Sequence, residues 1–296
     1  MTKKFKSGFV AIIGMANVGK STLLNALAGQ KIAIVSDKPQ TTRNRILAIY
    51  NDKGHQIIFT DTPGIHKPHN KLGEFMVKSA SEAINDVDIA VFVADATKKI
   101  TEAERNVIQE IEKSGADKML VINKTDLVKK EELLPIIADY SSLGDFTAIV
   151  PMSAKTGDGV SILLDELKRA LPEGPKFYDD EQITDQQEKQ IAAEIIREKL
   201  LWFLDKEVPH GIAVEIEKMQ ELDRITKIYA VIYCEKASHK GIIIGKNGEM
   251  LKKIATRARG DIEKMLDKKV YLELWVRVKN DWRNSEKMIK GFGFEL

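Results

Sequence analysis

Short apolar runs alternate with helix-periodic stretches through the first 170 or so residues. GFVAII, RILAIY, HQIIFTD, DIAVFVAD, DKMLVIN and FTAIVPM read as buried strands. Segments near 19–28, 72–85, 101–114, 130–141 and 158–171 carry the 3.6-residue period between most of them. In the first of these helices, Leu23, Leu24, Leu27 and Ala28 make a stripe that packs on a sheet. Strand and helix in alternation predict an α/β fold with a mostly parallel sheet covered on both faces. Ligands of such sheets bind where the loops gather, at the carboxyl ends of the strands. The pattern then breaks at LPEGPKFYDDEQITDQQ, residues 171–187, whose two prolines, glycine and polar residues read as a linker. Beyond it EKQIAAEIIREKLLWFLDKE is helical, and GIAVEIEKMQ and RITKIYAVIYCEK alternate as two pairing strands. A short helical turn, a long helix from about 248 to 267 and the strand VYLELWVRVK complete an α+β piece. The expected division is therefore a domain at 1–171, a linker at 172–187, and a second domain with its tail at 188–296.

Composition adds bounds. At 296 residues, two domains can each bury a core, and 43% apolar with 30% charged residues is an ordinary balance for a water-soluble chain. The net charge of +2 supports no global electrostatic argument, so any basic face must be local. Cys234 is the single cysteine, which excludes an internal disulfide and any multi-cysteine metal site and agrees with a reducing cytoplasm. No apolar run approaches the roughly 18 residues of a membrane span. The basic start MTKKFK followed by an apolar stretch is like a signal peptide, but that stretch runs directly into a glycine-containing loop and reads as a first strand.

That loop, GMANVGKS at Gly14, Met15, Ala16, Asn17, Val18, Gly19, Lys20 and Ser21, fits G-x-x-x-x-G-K-[ST] between a strand and a helix. Successive backbone N–H groups and the helix N-terminus suit a polyphosphate, with Lys20 on the outer phosphates and Ser21 on magnesium. DTPG follows the strand HQIIFT: Asp61 suits a magnesium-bound water, the Gly64 N–H suits a γ-phosphate, and Thr62, Pro63 and the following Ile65 are counted with them as GTP-binding positions. NKTD follows KMLVI. A carboxylate at Asp126 accepts from the N1–H and N2–H₂ edge that guanine has and adenine lacks. Asn123 braces base and loop, the Lys124 stem covers a ring face, and Thr125 is counted with them as a GTP-binding position. SAK, at Ser153, Ala154 and Lys155, follows the last strand, with the Ala154 N–H aimed at guanine O6. Each short motif is weak alone; all four, in order and at strand ends, point to GTP or GDP with magnesium.

With these motifs the first half resembles the small translation-related GTPases. The resemblance implies a mobile segment in which a threonine reaches magnesium; QTTR at 40–43 lies in the right place, with Thr42 preferred and adjacent Thr41 left open. Lys20, Thr42 and Gly64 are then the expected catalytic groups. Many GTPases follow DTPG with a glutamine that orients the attacking water. Here the position is Ile65, which cannot hydrogen-bond water, so slow intrinsic turnover is expected. In some hydrophobic-substituted GTPases an asparagine of the phosphate loop helps bind potassium, and Asn17 occupies that position; a plain polar loop residue is the other reading.

GKNG, at Gly245, Lys246, Asn247 and Gly248, matches the GXXG loop that clamps nucleic-acid backbone. Ile242 and Ile244 would wall the splayed bases, and Lys252, Lys253, Arg257 and Arg259 lie on or near the following helix. Residues 236–259 hold seven Lys or Arg against one acid, Glu249. Of the three tryptophans, Trp202 and the strand residue Trp275 read as packing residues, and Trp282 in the polar tail NDWRNSEK as the candidate for RNA contact. With its order of elements this half resembles a type II KH domain.

A nucleotide switch joined to a GXXG module makes the whole chain, residues ~5–290, resemble the Era family of bacterial GTPases. The resemblance implies a monomer that binds the 3′ end of small-subunit ribosomal RNA, assists assembly of the small ribosomal subunit, and associates loosely with the inner face of the cell membrane. The alternative reading is a GTP-dependent switch that recruits a protein through a KH-like docking module.

Overall fold

The computed structural model describes residues 4–65, 68–85 and 87–294. The chain divides into two compact units. One holds the chain to Val35, Thr42–Lys67 and Met76–Asp185; the other holds Ser36–Thr41, Pro68–Phe75 and the chain from Gln186.

The first unit follows the expected alternation: β1 (Lys6–Ile13), α1 (Lys20–Ala28), β2 (Ile46–Asn51), β3 (His55–Asp61), α2 (Lys71–Asn85, in this unit from Met76), β4 (Ile89–Asp95), α3 (Glu102–Ser114), β5 (Asp117–Asn123), α4 (Lys130–Ser141), β6 (Ala148–Pro151) and α5 (Val160–Ala170). The sheet order is β2-β3-β1-β4-β5-β6, parallel except for β2 against β3. Side chains alternate across it, as strand geometry requires. Val10 and Ile12 face a core with Leu23, Leu24, Leu163 and Leu167, whereas Ala11 and Ile13 face one with Phe92, Val107 and Ile108. The register sets Ile12 opposite Asp61 and Asp95 opposite Asn123, so the loops after β1, β3, β4 and β5 open on one edge.

The stretch expected as a linker is ordered within this unit as far as Asp185. It straps the outer edge of β2, where the Ile49 N–H donates to the Ile183 carbonyl at 2.9 Å and Thr184 Oγ1 to the Leu47 carbonyl at 2.7 Å. Gln56 accepts from the Phe177 N–H and donates to the Tyr178 carbonyl, and Phe177 packs on Phe9. Covering an edge strand removes unpaired backbone groups that would otherwise invite another chain. The order comes from backbone hydrogen bonds, which polar composition does not reveal.

The second unit contains α6 (Glu188–Phe203), β7 (Ala213–Glu221), β8 (Ile225–Cys234), α7 (Ala237–Ile244), α8 (Glu249–Leu266), β9 (Lys269–Val278) and α9 (Glu286–Gly291). β7 pairs antiparallel with β8 and β8 parallel with β9. Ile195, Ile196 and Leu200 of α6 share a core with Ile228, Ala230 and Ile232 of β8 and with Ile254, Ala258 and Ile262 of α8. Residues 36–41 belong with this unit: Arg197 donates to the Thr41 carbonyl, and Lys38 pairs with Asp205 at 2.7 Å.

All three tryptophan expectations are reversed. Trp282 is fully buried, donates Nε1–H to the Gly211 carbonyl at 2.9 Å and meets Phe292 edge-on, so it is an anchor rather than an RNA contact. Trp275 and Trp202 are 57% and 50% exposed. The polar tail NDWRNSEK folds a single large ring inward, and β9 turns Trp275 to the face away from the helices. Trp282→Ala removes that ring and its hydrogen bond and is expected to cost about 4 kcal/mol. Denaturant unfolding of the second unit, followed by near-ultraviolet circular dichroism, checks it.

Candidate functional site

The site forms where the register gathers the strand ends. After β1 the phosphate loop turns into α1, whose N-cap, Gly19, is left-handed (φ 100°) and carries no side-chain cap. The first N–H groups of α1 therefore remain for a ligand. A Cβ at Gly19 would run into the Asn123 amide. Lys20, 6% exposed, donates to the carbonyls of Gly14 and Met15 at 3.0 and 2.9 Å. The DTPG turn is tied to the same loop, because Met15 bridges Ile65 and the Ile65 N–H donates to the Gly14 carbonyl. Thr62 Oγ1 donates to the Ile12 carbonyl, which leaves the Thr62–Pro63–Gly64 backbone, not the Thr62 hydroxyl, to face a phosphate. The Ile65 side chain, partly buried, packs against the core cluster of Phe92 and Ile108 and, being aliphatic, offers no group to order water.

Three oxygens converge beyond Lys20. Ser21 Oγ and Thr42 Oγ1 lie 2.7 Å apart and donate to Asp61 Oδ2 at 2.8 and 3.1 Å. Asp61 is fully buried, and its Oδ1 has no hydrogen-bond partner among the described residues. Two hydroxyls and a carboxylate with a spare buried oxygen suit magnesium, a hard cation that takes oxygen ligands. The hydroxyl of Thr41 instead donates to the Lys38 carbonyl. Burial pushes the Asp61 carboxyl upward, against the pull of Lys20 and the two hydroxyls. Burial lowers Lys20 to about 8, with the Asp61 charge opposing.

At the base end, Asn123 donates Nδ2–H to the Val18 carbonyl at 2.8 Å and accepts from the Ala154 N–H at 2.9 Å. That N–H, expected on guanine O6, is thus engaged by Asn123, while the Lys155 N–H next to it makes no bond among the described residues. Lys124, left-handed at φ 66°, donates to the Asn17 carbonyl at 2.7 Å and to Asp95 Oδ2 at 2.6 Å. The Thr125 N–H donates to the Met152 carbonyl, and Asp126 stands exposed in the turn that follows. Ser153 is buried and closes the SAK loop by accepting from the Thr156 and Gly157 N–H groups. Asp95 was absent from the sequence expectations; its signal was a carboxylate closing the strand DIAVFVAD.

In the second unit, GKNG joins α7 to α8. Gly245, Asn247 and Gly248 have φ of 73°, 51° and 80°, and Lys246 is exposed. Ile242 is 50% exposed, Ile244 is half-buried, and Ile243 between them is buried. Glu249, Lys252, Lys253, Thr256 and Arg257 line a shallow depression of about 340 Å³ on α8. The Lys253 ammonium lies 4.3 Å from the centre of the Phe203 ring, so Phe203 already shares its charge.

Residues 9–124 match a family model described as 50S ribosome-binding GTPase, and residues 207–283 match a KH domain model. The chain is 54% identical to GTPase Era of Ruminiclostridium cellulolyticum over 292 residues, 98% of each chain, and 54% identical to GTPase Era of Clostridioides difficile over 98% of this chain and 99% of that one. Two solved structures superpose with TM-scores of 0.96 at 39% identity, each covering 99% of this chain and all of the other. One is an Aquifex aeolicus Era variant bound to GDP and AlF4–; the other is Era in complex with MgGDPNP and nucleotides 1506–1542 of 16S ribosomal RNA.

A triphosphate on this loop would need Lys20 charged, and its negative charge would raise the Lys20 pKa from the value of about 8 that burial sets. Binding therefore takes up a proton above that value, and affinity falls as pH rises. GTP affinity is expected to drop roughly threefold to fourfold between pH 7 and 8.5. Calorimetry in buffers of different ionisation enthalpy reads the proton uptake directly, and Lys20→Arg removes it.

Proposed function

The chain belongs to the Era family of GTPases, and from that premise we propose that it is a guanine-nucleotide switch whose KH unit binds the 3′ region of small-subunit ribosomal RNA and assists assembly of that subunit. The observation that carries the reading is the full-length likeness to an Era structure holding both MgGDPNP and 16S nucleotides, together with the GKNG turn of the second unit. The family description that names the 50S subunit rests on residues 9–124 alone, so it bears on the GTPase fold and not on the RNA-binding half.

The enzyme hydrolyses GTP to GDP and phosphate. In the proposed assignment, the α1 N-terminus and Lys20 hold the phosphates, Ser21 and Thr42 offer hydroxyls to magnesium, and Asp61 acts through water. Bound there, magnesium neutralises charge on the β- and γ-phosphates. Asp126 reads the guanine edge, Lys124 covers a ring face, and the SAK backbone approaches O6. With Ile65 packed in the core, nothing at that position orients water, and turnover is slow.

We assign Asn17 a share in binding potassium, which supplies charge where other GTPases use an arginine. Replacing sodium by potassium is then expected to raise turnover roughly tenfold, and Asn17→Ala to abolish the difference; equal rates in both buffers remove the assignment. The reading places the chain in the cytoplasm as a monomer with loose contact to the inner face of the cell membrane. Among the described residues no helix is long and apolar enough to cross a membrane.

When nucleotide and magnesium order Thr42 and the DTPG turn, the neighbouring segment 36–41 is drawn with them, and RNA affinity follows the nucleotide state. Gly245 is a poor place to test RNA binding, because a Cβ there would lie 2.7 Å from Met250 Cβ. Lys246→Glu with Lys252→Glu changes exposed positions only. Affinity for an RNA oligonucleotide of the 16S 3′ end should fall more than about tenfold, with a shallower salt dependence. Unchanged RNA affinity would favour the protein-docking reading.

A further inference from the structure

A buried carboxylate outside the nucleotide motifs holds the lysine of NKTD. Asp95 ends β4 and is 1% exposed. Its Oδ1 accepts from both the N–H and the hydroxyl of Thr97, at 3.0 and 2.7 Å. Its Oδ2 accepts from Lys124 Nζ at 2.6 Å, with Lys98 Nζ farther off at 3.6 Å. Thr97 thereby fixes the direction of the carboxylate, and the carboxylate fixes the ammonium. Lys124 reaches onward to the Asn17 carbonyl of the phosphate loop. The same strand ends are zipped by the Ala96 N–H, which donates to the Asn123 carbonyl at 2.9 Å. Burial works against the charge of Asp95, but the hydrogen bonds of Lys124 and Thr97 outweigh it and hold the carboxyl below its ordinary value.

We propose that Asp95 is a positioning residue for guanine nucleotides: it holds the Lys124 ammonium against the phosphate loop, so that the lysine stem lies along the base face and the two loops close as one. The inference rests on the reading that NKTD holds guanine. A lysine has a flexible four-carbon stem that loses much rotamer freedom on ordering. Holding it beforehand in a charge-assisted bond spares the ligand that ordering cost. Asp95→Asn keeps the Thr97 bonds through the amide oxygen and presents an N–H₂ group where Lys124 needs an acceptor.

The test is nucleotide dissociation measured with fluorescent GDP and GTP analogues, alongside steady-state hydrolysis. Asp95→Asn should speed dissociation of both nucleotides about tenfold and raise KM by a similar factor, with kcat changing less than about twofold. Lys124→Met should do the same, and the double variant should be no worse than Lys124→Met alone, because Asp95 acts through that lysine. Independent, multiplying effects in the double variant, or unchanged dissociation in Asp95→Asn, would overturn the proposal. Thermal unfolding identifies a variant that fails to fold. In that event Thr97→Val, which removes one bond that aims Asp95, should speed dissociation about threefold only while Lys124 is present; an effect that survives Lys124→Met overturns the proposal as well. Asp126→Asn separates the two failures. If it shifts preference from guanine to xanthine nucleotides, the base site stands and only the role of Asp95 is at stake; if it does not, the reading of NKTD fails first.

Discussion

The side-chain amide of Asn123 is the joint on which the nucleotide site depends. One group both donates and accepts, and here it donates to the phosphate loop at Val18 and accepts from the SAK loop at Ala154. Three loops, from β1, β5 and β6, are thereby set against one another before any ligand arrives. An aspartate at this position would lose the donor and place a charge against the Val18 carbonyl. The joint also requires Gly19, since any Cβ there would displace the amide. Lys124 adds a parallel tie one residue on, from the same strand end to the Asn17 carbonyl. Two ties of this kind make the base pocket rigid, and a rigid pocket loses little entropy on binding.

The metal end is built on the opposite principle. There the protein buries a carboxylate with one unsatisfied oxygen, beside a buried lysine whose charge burial disfavours. Unsatisfied buried polar groups are costly, and under the proposed function a magnesium triphosphate would bring a cation toward Asp61 and an anion toward Lys20. Under the proposed function, one pocket would thus combine a settled half for the base with an unsettled half for the phosphates. Thr42 belongs to the unsettled half, while the next residue back, Thr41, has its hydroxyl on Lys38 and its carbonyl on Arg197. Adjacent residues therefore answer to different surroundings, which is the property a switch segment needs.

Much of this was legible in the sequence because it depends on local pattern. Alternating strands, helix periods and fixed-spacing loops follow from backbone geometry, and each nucleotide motif landed at the strand end that its chemistry demanded. What stayed hidden depends on which face an element turns inward. β9 alternates cleanly, yet alternation alone cannot say that Trp275 takes the outer face and Leu272 and Leu274 the inner. Trp282 sits among polar neighbours and is buried all the same, because the short tail folds Phe292 and Phe294 around it. The strap at 172–185 looked like a linker since its order lies in hydrogen bonds to β1, β2 and β3, most of them made by its main chain. Asp95 lacked a motif, and only the β4–β5 register, which sets it opposite Asn123, reveals its place.

Both units hold out a helix in the same way. α1 begins at Gly19 and α8 at Gly248, each left-handed and each without a side-chain cap. A serine or aspartate caps a helix from extended backbone, which a left-handed residue does not offer, so the first N–H groups of both helices stay open to an anion. α5 also starts on a left-handed glycine, Gly159, for a different reason, since a Cβ there would stand 2.6 Å from Met152 Cβ. At Gly248 a Cβ would meet nothing within 4 Å. No packing inside the protein requires glycine at that point, only a left-handed turn that leaves room outside. An open approach to uncapped N–H groups, beside an exposed lysine at 246, is what a sugar-phosphate backbone requires of a protein surface. The uncapped glycine start that the proposed function gives to a triphosphate in one unit is thus repeated in the other, where the same proposal places the phosphates of an RNA chain.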